Sequence, residues 1–122
     1  MTFWEVKSRK IDIIILAETR EEAFAKFFVY VARKAPKSLR LIGQLVTCYK
    51  EGESEMDAIP VVTIPILYKM GLIPEEIAID NFKVLMEKNS QEAKQLLDLA
   101  LETNKGIYEC IEKERNNVRL SI

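Results

Sequence analysis

The chain has 122 residues, of which 48% are hydrophobic and 30% charged, with four glycines, four prolines and a net charge of −1. That composition excludes a disordered or fibrous chain, and the length suits one domain able to bury roughly two-thirds of its unfolded surface. Histidine is absent, so a Ser-His-Asp triad, a Cys-His pair and a histidine zinc site are excluded.

Met1-Thr2-Phe3-Trp4-Glu5 shows no basic segment leading into an apolar run, so no secretory signal is expected and a cytoplasmic location is. Phe3 to Lys7 reads as a first strand, with Trp4 and Val6 on one side and Glu5 and Lys7 on the other. Ser8-Arg9-Lys10 connects it to a second strand as a β-hairpin. In that strand Ile11, Ile13 and Ile15 alternate with Ile14 and Leu16. With both faces apolar, a central strand covered on both sides is expected.

Thr19-Arg20-Glu21-Glu22 follows as a capping box. The Thr19 hydroxyl is set to accept from the Glu22 amide, and the Glu22 carboxylate to reach back to the Thr19 amide. Ala23, Phe24, Phe27, Phe28 and Val31 then recur at helical spacing as one apolar face. Arg33 and Lys34 suit the last turn, and Pro36 ends the helix.

After a loop over residues 35–38, a third strand is expected from Leu39 to Lys50. Leu41, Leu45 and Tyr49 point one way, Ile42, Val46 and Cys48 the other, and Gly43 marks a bulge or a close approach. The expected core is Phe24, Phe27, Phe28, Ile13, Ile15, Leu41, Leu45 and Val46. Glu51 to Asp57 is acidic but lacks the glycine-centred loop and closing glutamate of a calcium site, so it reads as a solvated loop. Ile59 to Ile64 is expected as a fourth strand paired with the third, Pro60 lying at its start or on an edge; an irregular segment is the alternative. The longest apolar stretch, Ala58 to Tyr68, is too short to cross a bilayer.

From Pro65 the pattern turns helical. A short helix runs to Met70 and closes on Gly71, and Pro74-Glu75-Glu76 opens a second one to about Lys88, with Ile77, Val84 and Leu85 inward. Residues 66–88 have the outline of a helix-turn-helix, with Met70-Gly71-Leu72 as the turn and Ile77 at a position such motifs bury. Leu67 and Asp80 depart from that pattern, and Glu75, Glu76 and Asp80 would confront phosphates. An αα-hairpin packed on the core is the expectation. Asn89-Ser90 recaps the chain, and a last helix of about 27 residues, some 40 Å long, carries Ala93, Leu97, Ala100, Asn104, Ile107 and Ile111 as a stripe broadened by Leu96, Leu101 and Tyr108. Gly106 allows that helix to bend.

The fold class expected is therefore α+β: a small sheet in ββαβ(β) order with one crossover helix, then an αα-hairpin and a long C-terminal helix. A single domain spans 1–122, with the sheet and first helix in 1–64 and a helical part in 65–122. Charge is uneven, with ten Lys/Arg against five Asp/Glu in residues 1–50 and eight against fourteen in 51–122. Such polarity suits an anionic partner or head-to-tail complementarity between subunits. Arg33, Lys34, Lys37 and Arg40 form a candidate anion or nucleic-acid contact, though the phenylalanines of their helix face the core and leave no stacking platform. Leu97, Leu101, Tyr108 and Ile111 are candidate dimer contacts, because a stripe that long outruns a small sheet.

Cys48 and Cys110 stand far apart in sequence, which suits buried thiols first and a disulfide second. Glu, Lys and Ile are frequent and Gln rare, a hyperthermophile tendency. No phosphate-binding glycine loop, metal-ligand spacing or nucleophile elbow is present. No cofactor is expected and an enzyme is disfavoured. The expected function is a small interaction or regulatory protein acting as a homodimer with an unidentified protein partner. The alternative is a nucleic-acid-binding accessory protein using the basic N-terminal half; no membrane association is expected.

Overall fold

The computed structural model describes residues 1–40 and 44–120, with the side chains of Arg40 and of residues 117–120 outside that description. Alternation along the first strand decides the sheet. In β1 (Thr2–Lys7) Trp4 and Val6 are buried, and Phe3 is half exposed on the other face. The turn at residues 8–11 closes with the Ser8 amide donating to the Ile11 carbonyl, and β2 (Asp12–Ala17) returns antiparallel with Trp4 opposite Ile15 and Val6 opposite Ile13. β3 (Leu45–Lys50) lies on the other side of β1, and β4 (Ile59–Val62) outside β3, giving an antiparallel sheet in the order β2-β1-β3-β4.

Helix α1 (Arg20–Lys34) joins β2 to β3, which are parallel to each other across β1, and lies on one face of the sheet. The Thr19 hydroxyl accepts from the Glu22 amide at 3.2 Å. The Glu22 carboxylate accepts from the Glu18 amide at 3.2 Å, one residue earlier than the capping box predicts. Phe24, Phe27, Phe28 and Val31 are buried, and the Phe27 and Phe28 rings meet edge to face at 5.5 Å. Trp4 donates its indole N–H to the Ala17 carbonyl, while the Arg20 guanidinium sits 5.5 Å from its ring centre. One aromatic layer thus ties helix, hairpin and sheet together.

β2 is an edge strand, not the central strand its isoleucines predict. α1 covers only the face of Ile13, Ile15 and Ala17, so Ile14 and Leu16 are 60% and 43% exposed. Burial on both faces needs a second helical layer, and the remaining helices do not supply one. The third strand is also shorter than predicted. Residues 36–40 form a 3-10 turn with Leu39 buried, and the expectations for Leu41, Ile42 and Gly43 lie outside the described residues. Val46 and Cys48 are buried as expected, but Leu45 is 50% exposed because its side of β3 belongs to the uncovered face.

β4 ends at Val62, and α2 (Thr63–Lys69) follows directly, closed by Gly71 at φ +77°. This is a backbone region that favours glycine. α3 (Glu75–Met86) turns its Ala78 and Phe82 inward, while Ile77, Val84 and Leu85 face outward, the reverse of the predicted orientation. The one aromatic side chain of α3 sets its rotation: Phe82 joins Ile64, Ala78 and Leu97 in a second small core. With Ile77 46% exposed, the helix-turn-helix outline fails where that motif buries an aliphatic. The segment is an αα-hairpin packed against α4 (Ser90–Thr103), which Asn89 caps by accepting from the Glu92 amide at 2.9 Å.

The long final helix is two helices. At Asn104 the backbone turns to φ −100°, ψ 19°, and its side-chain amide donates to the Ala100 carbonyl at 2.8 Å. α5 (Lys105–Leu120) then packs along α1. A Cβ at Gly106 would meet the Glu21 side chain at 3.3 Å, so glycine here permits a close helix approach. The break divides the predicted 40 Å rod at Asn104. Leu97, Tyr108 and Ile111 are buried within the chain and Leu101 bridges the two cores, which removes them as an exposed dimer contact.

Phe27 is 1% exposed at the centre of the aromatic layer. Phe27→Ala is expected to cost about 3–5 kcal/mol of unfolding free energy in denaturant titration. A loss below about 1 kcal/mol would mean that the ring does not occupy the core.

Candidate interaction surface

An antiparallel sheet tolerates water on one face provided polar residues occupy it. Here that face is mixed. Phe3 lies opposite Leu16, and Glu5 lies opposite both Ile14 and Tyr49. Phe3, Ile14, Leu16 and Leu45 are between 43% and 60% exposed. With strands about 4.8 Å apart and about 3.4 Å of rise per residue, four strands of this length present a face of roughly 20 by 20 Å.

One charged cluster crosses it. The Lys7 ammonium lies 3.1 Å from the Glu5 carboxylate, 3.2 Å from Glu55 and 4.0 Å from Asp12. The Tyr49 hydroxyl donates to Glu5 at 2.5 Å, and Lys7 stands 5.8 Å from the Tyr49 ring centre. The Tyr49 hydrogen bond first, and Lys7 second, hold the Glu5 carboxyl below the usual carboxylate range. Accepting that bond, Glu5 raises the Tyr49 phenol, and Glu5 and Glu55 raise Lys7. Each group is driven further into the protonation state it already has at neutral pH. Such a cluster supplies fixed charge and directional hydrogen bonds; proton transfer near pH 7 calls for the opposite tuning.

The basic cluster lies elsewhere, at the end of α1. Arg33, Lys34 and Lys37 are exposed, and the Arg40 side chain lies outside the described ones. Tyr30, 47% exposed one turn before Lys34, gives this cluster an aromatic neighbour that the inward phenylalanines do not. Its signal in the sequence is its place beside the Ala23–Phe27 side of the helix rather than within it. Tyr30 and Lys26 also flank a groove along Ile13, Ile14 and Ile15 at the outer side of β2. The Lys26 ammonium donates to the Leu16 carbonyl at 2.9 Å and pairs with Glu22 at 3.1 Å.

Among the described residues no group of three or more Cys, Asp or Glu is placed to hold a metal ion, and no helix is long and apolar enough to cross a membrane. The acidic loop is tied into ion pairs instead, Glu53 with Arg20 at 3.6 Å and Glu55 with Lys7. An apolar cavity of about 190 Å³ lies between the end of α1 and the α2–α3 hairpin, lined by Leu39, Ile64, Leu67, Leu72 and Ile77 among others. Both cysteines are free; burial pushes the Cys48 thiol up to about 12 and raises Cys110 as well, so both are held away from the thiolate. The Tyr108 hydroxyl is buried without a hydrogen-bond partner among the described residues.

No family model matches the chain, and neither a curated protein nor a solved structure matches it. The reading of function therefore rests on the surface itself.

The Glu5–Tyr49 bond has a direct solution signature. In Tyr49→Phe the Glu5 carboxyl loses its principal stabilising donor, so its pKa is expected to rise toward the ordinary value of about 4.3. Carboxyl carbon shifts followed by NMR from pH 2 to 7 read this. The sign follows from linkage: a depressed carboxylate pKa contributes stability above its unfolded value and loses it as pH falls through the folded one. An unchanged Glu5 midpoint in Tyr49→Phe would show that the hydrogen bond is not made in solution.

Proposed function

We propose that this protein is a non-enzymatic interaction module that works as a homodimer through its sheet. The observation that carries the reading is the uncovered sheet face, where Phe3, Ile14, Leu16 and Leu45 stand exposed around the Glu5–Lys7–Tyr49 cluster. Larger exposed apolar patches mark contact surfaces, and here Phe3, Leu16 and Ile14 adjoin one another while Leu45 lies beyond Lys7 and Thr47. Fixed charges set among apolar groups supply the orientation and register that an apolar patch alone lacks. A twofold pair is the commonest assembly of a soluble chain.

Sedimentation equilibrium at micromolar concentration tests this. The expected result is a mass near twice the 14.1 kDa of the chain, reached reversibly on concentration. A clean monomer mass up to 100 µM would contradict it.

A second reading, nucleic-acid binding, has one observation in its favour: exposed Tyr30 beside Lys26, Arg33, Lys34 and Lys37 places a stacking ring among cations. Fluorescence titration with single-stranded oligonucleotide at low and moderate salt separates it from the first. Binding that weakens steeply with salt, and that is lost on neutralising Arg33, Lys34 and Lys37, supports the second reading. No binding at low salt removes it.

A further inference from the structure

The two edges of the sheet are built differently. β4 has four residues, and Pro60 removes an amide from it. Val61 and Ile59 pair with Val46 and Cys48, and short strands carrying proline are how sheets blunt an edge. β2 has six residues, no proline and a run of three isoleucines and a leucine. The Ser8 amide bonds to the Ile11 carbonyl. By antiparallel alternation, the backbone groups of Ile11, Ile13, Ile15 and Ala17 then turn toward β1, and those of Asp12, Ile14 and Leu16 turn outward. The Lys26 bond to the Leu16 carbonyl agrees with that phase. It leaves that carbonyl a second lone pair.

The outer side of β2 is also self-complementary. α1 runs back along the strand, so Glu22 lies level with Glu18, whose amide it binds, and Lys26 lies level with Leu16. Four helical residues advance about 6 Å and two strand residues about 6.8 Å. Tyr30 accordingly lines the groove with Ile13, Ile14 and Ile15, and Arg33 and Lys34 come level with Asp12. One end of this edge is acidic, with Glu18 and Glu22, and the other is basic, with Arg33 and Lys34.

Building on the homodimer reading above, we infer that two copies of this chain join edge to edge along β2, across a twofold axis at Ile15, into one continuous eight-stranded sheet. In this register Ile14 pairs with the partner's Leu16 through backbone hydrogen bonds, and Asp12 stands opposite the partner's Glu18, whose amide already donates to its own Glu22. Glu18 and Glu22 face the partner's Arg33 and Lys34, and Lys26 faces the partner's Tyr30, a cation beside a ring. Moving the axis to Ile14 keeps the hydrogen bonds but sets Lys26 against the partner's Arg33 and Lys34. Backbone pairing and apolar contact hold the sheet together, and the charges carried by α1 favour this register against the Asp12–Glu18 repulsion across it.

Sedimentation of wild type, Ile14→Pro, Leu45→Glu, Lys34→Glu and the pair Glu18→Lys with Lys34→Glu decides the matter, with circular dichroism reporting folding. Ile14→Pro removes an amide that no intrachain bond uses, so it is expected to weaken dimerisation at least about tenfold while the monomer stays folded. Lys34→Glu is expected to weaken it roughly threefold, and adding Glu18→Lys is expected to restore it, since the opposed charges are then exchanged. If Ile14→Pro unfolds, this loss and rescue at exposed positions still gives the answer. A monomeric wild type overturns both this arrangement and the homodimer reading. A wild-type dimer that Leu45→Glu dissociates, with the β2 variants unaffected, keeps the homodimer and overturns this geometry in favour of the open face. A wild-type dimer indifferent to every variant overturns it as well.

Discussion

The structure depends on the packing of one aromatic helix face against one side of a four-stranded sheet. Phe24, Phe27 and Phe28 of α1 are buried there with Trp4 and Val6 of β1 and Val46 and Cys48 of β3. Trp4 is tied to the end of β2 by its indole N–H and held under Arg20. α5 adds Ile107, Tyr108 and Ile111 to the same core. The other three helices gather around Ile64, Ala78, Phe82 and Leu97, so a chain of this size finishes two small cores and leaves the second sheet face uncovered. From that asymmetry come the exposed apolar side chains on which the functional reading rests, and the strand order leaves β2 at an edge.

Much of the architecture was legible in the residues. The Thr19 cap, the phenylalanine spacing of α1, the alternation of Trp4 and Val6 with Glu5 and Lys7, the stop at Gly71 and the cap at Asn89 are local signals, and local interactions realise each of them. The failures are tertiary. An isoleucine run reads the same whether its second face meets a helix or water, so the edge position of β2 and the exposure of Leu45 depend on where the later helices settle. The rotation of α3 was lost to Phe82, whose single ring outweighs Ile77, Val84 and Leu85. The break at Asn104 was masked because the stripe keeps its period across it, and a side chain that bonds back to Ala100 interrupts the helix without disturbing the apolar pattern.

The candidate surface was legible only in part. Arg33, Lys34 and Lys37 were visible as a cluster, and the structure leaves them exposed. The C-terminal residues proposed for contact were apolar for another reason, since the intrachain core uses them. Phe3, Ile14, Leu16 and Leu45 resemble core residues in sequence, and only the absence of a second layer turns them into surface. Tyr49 and Glu5 are separated by 44 residues; sheet pairing alone brings them together, and with Lys7 they give the apolar face an oriented charge.

The central claim is that the sheet is covered on one face and open on the other. Methyl NMR with a soluble paramagnetic probe measures this directly, because broadening tracks the solvent approach of each side chain. Along β2 and β3 broadening should alternate with period two, strong at Ile14, Leu16 and Leu45 and weak at Ile15 and Val46. In the monomer, uniform protection of these five methyl-bearing residues, or the opposite alternation, would contradict the account.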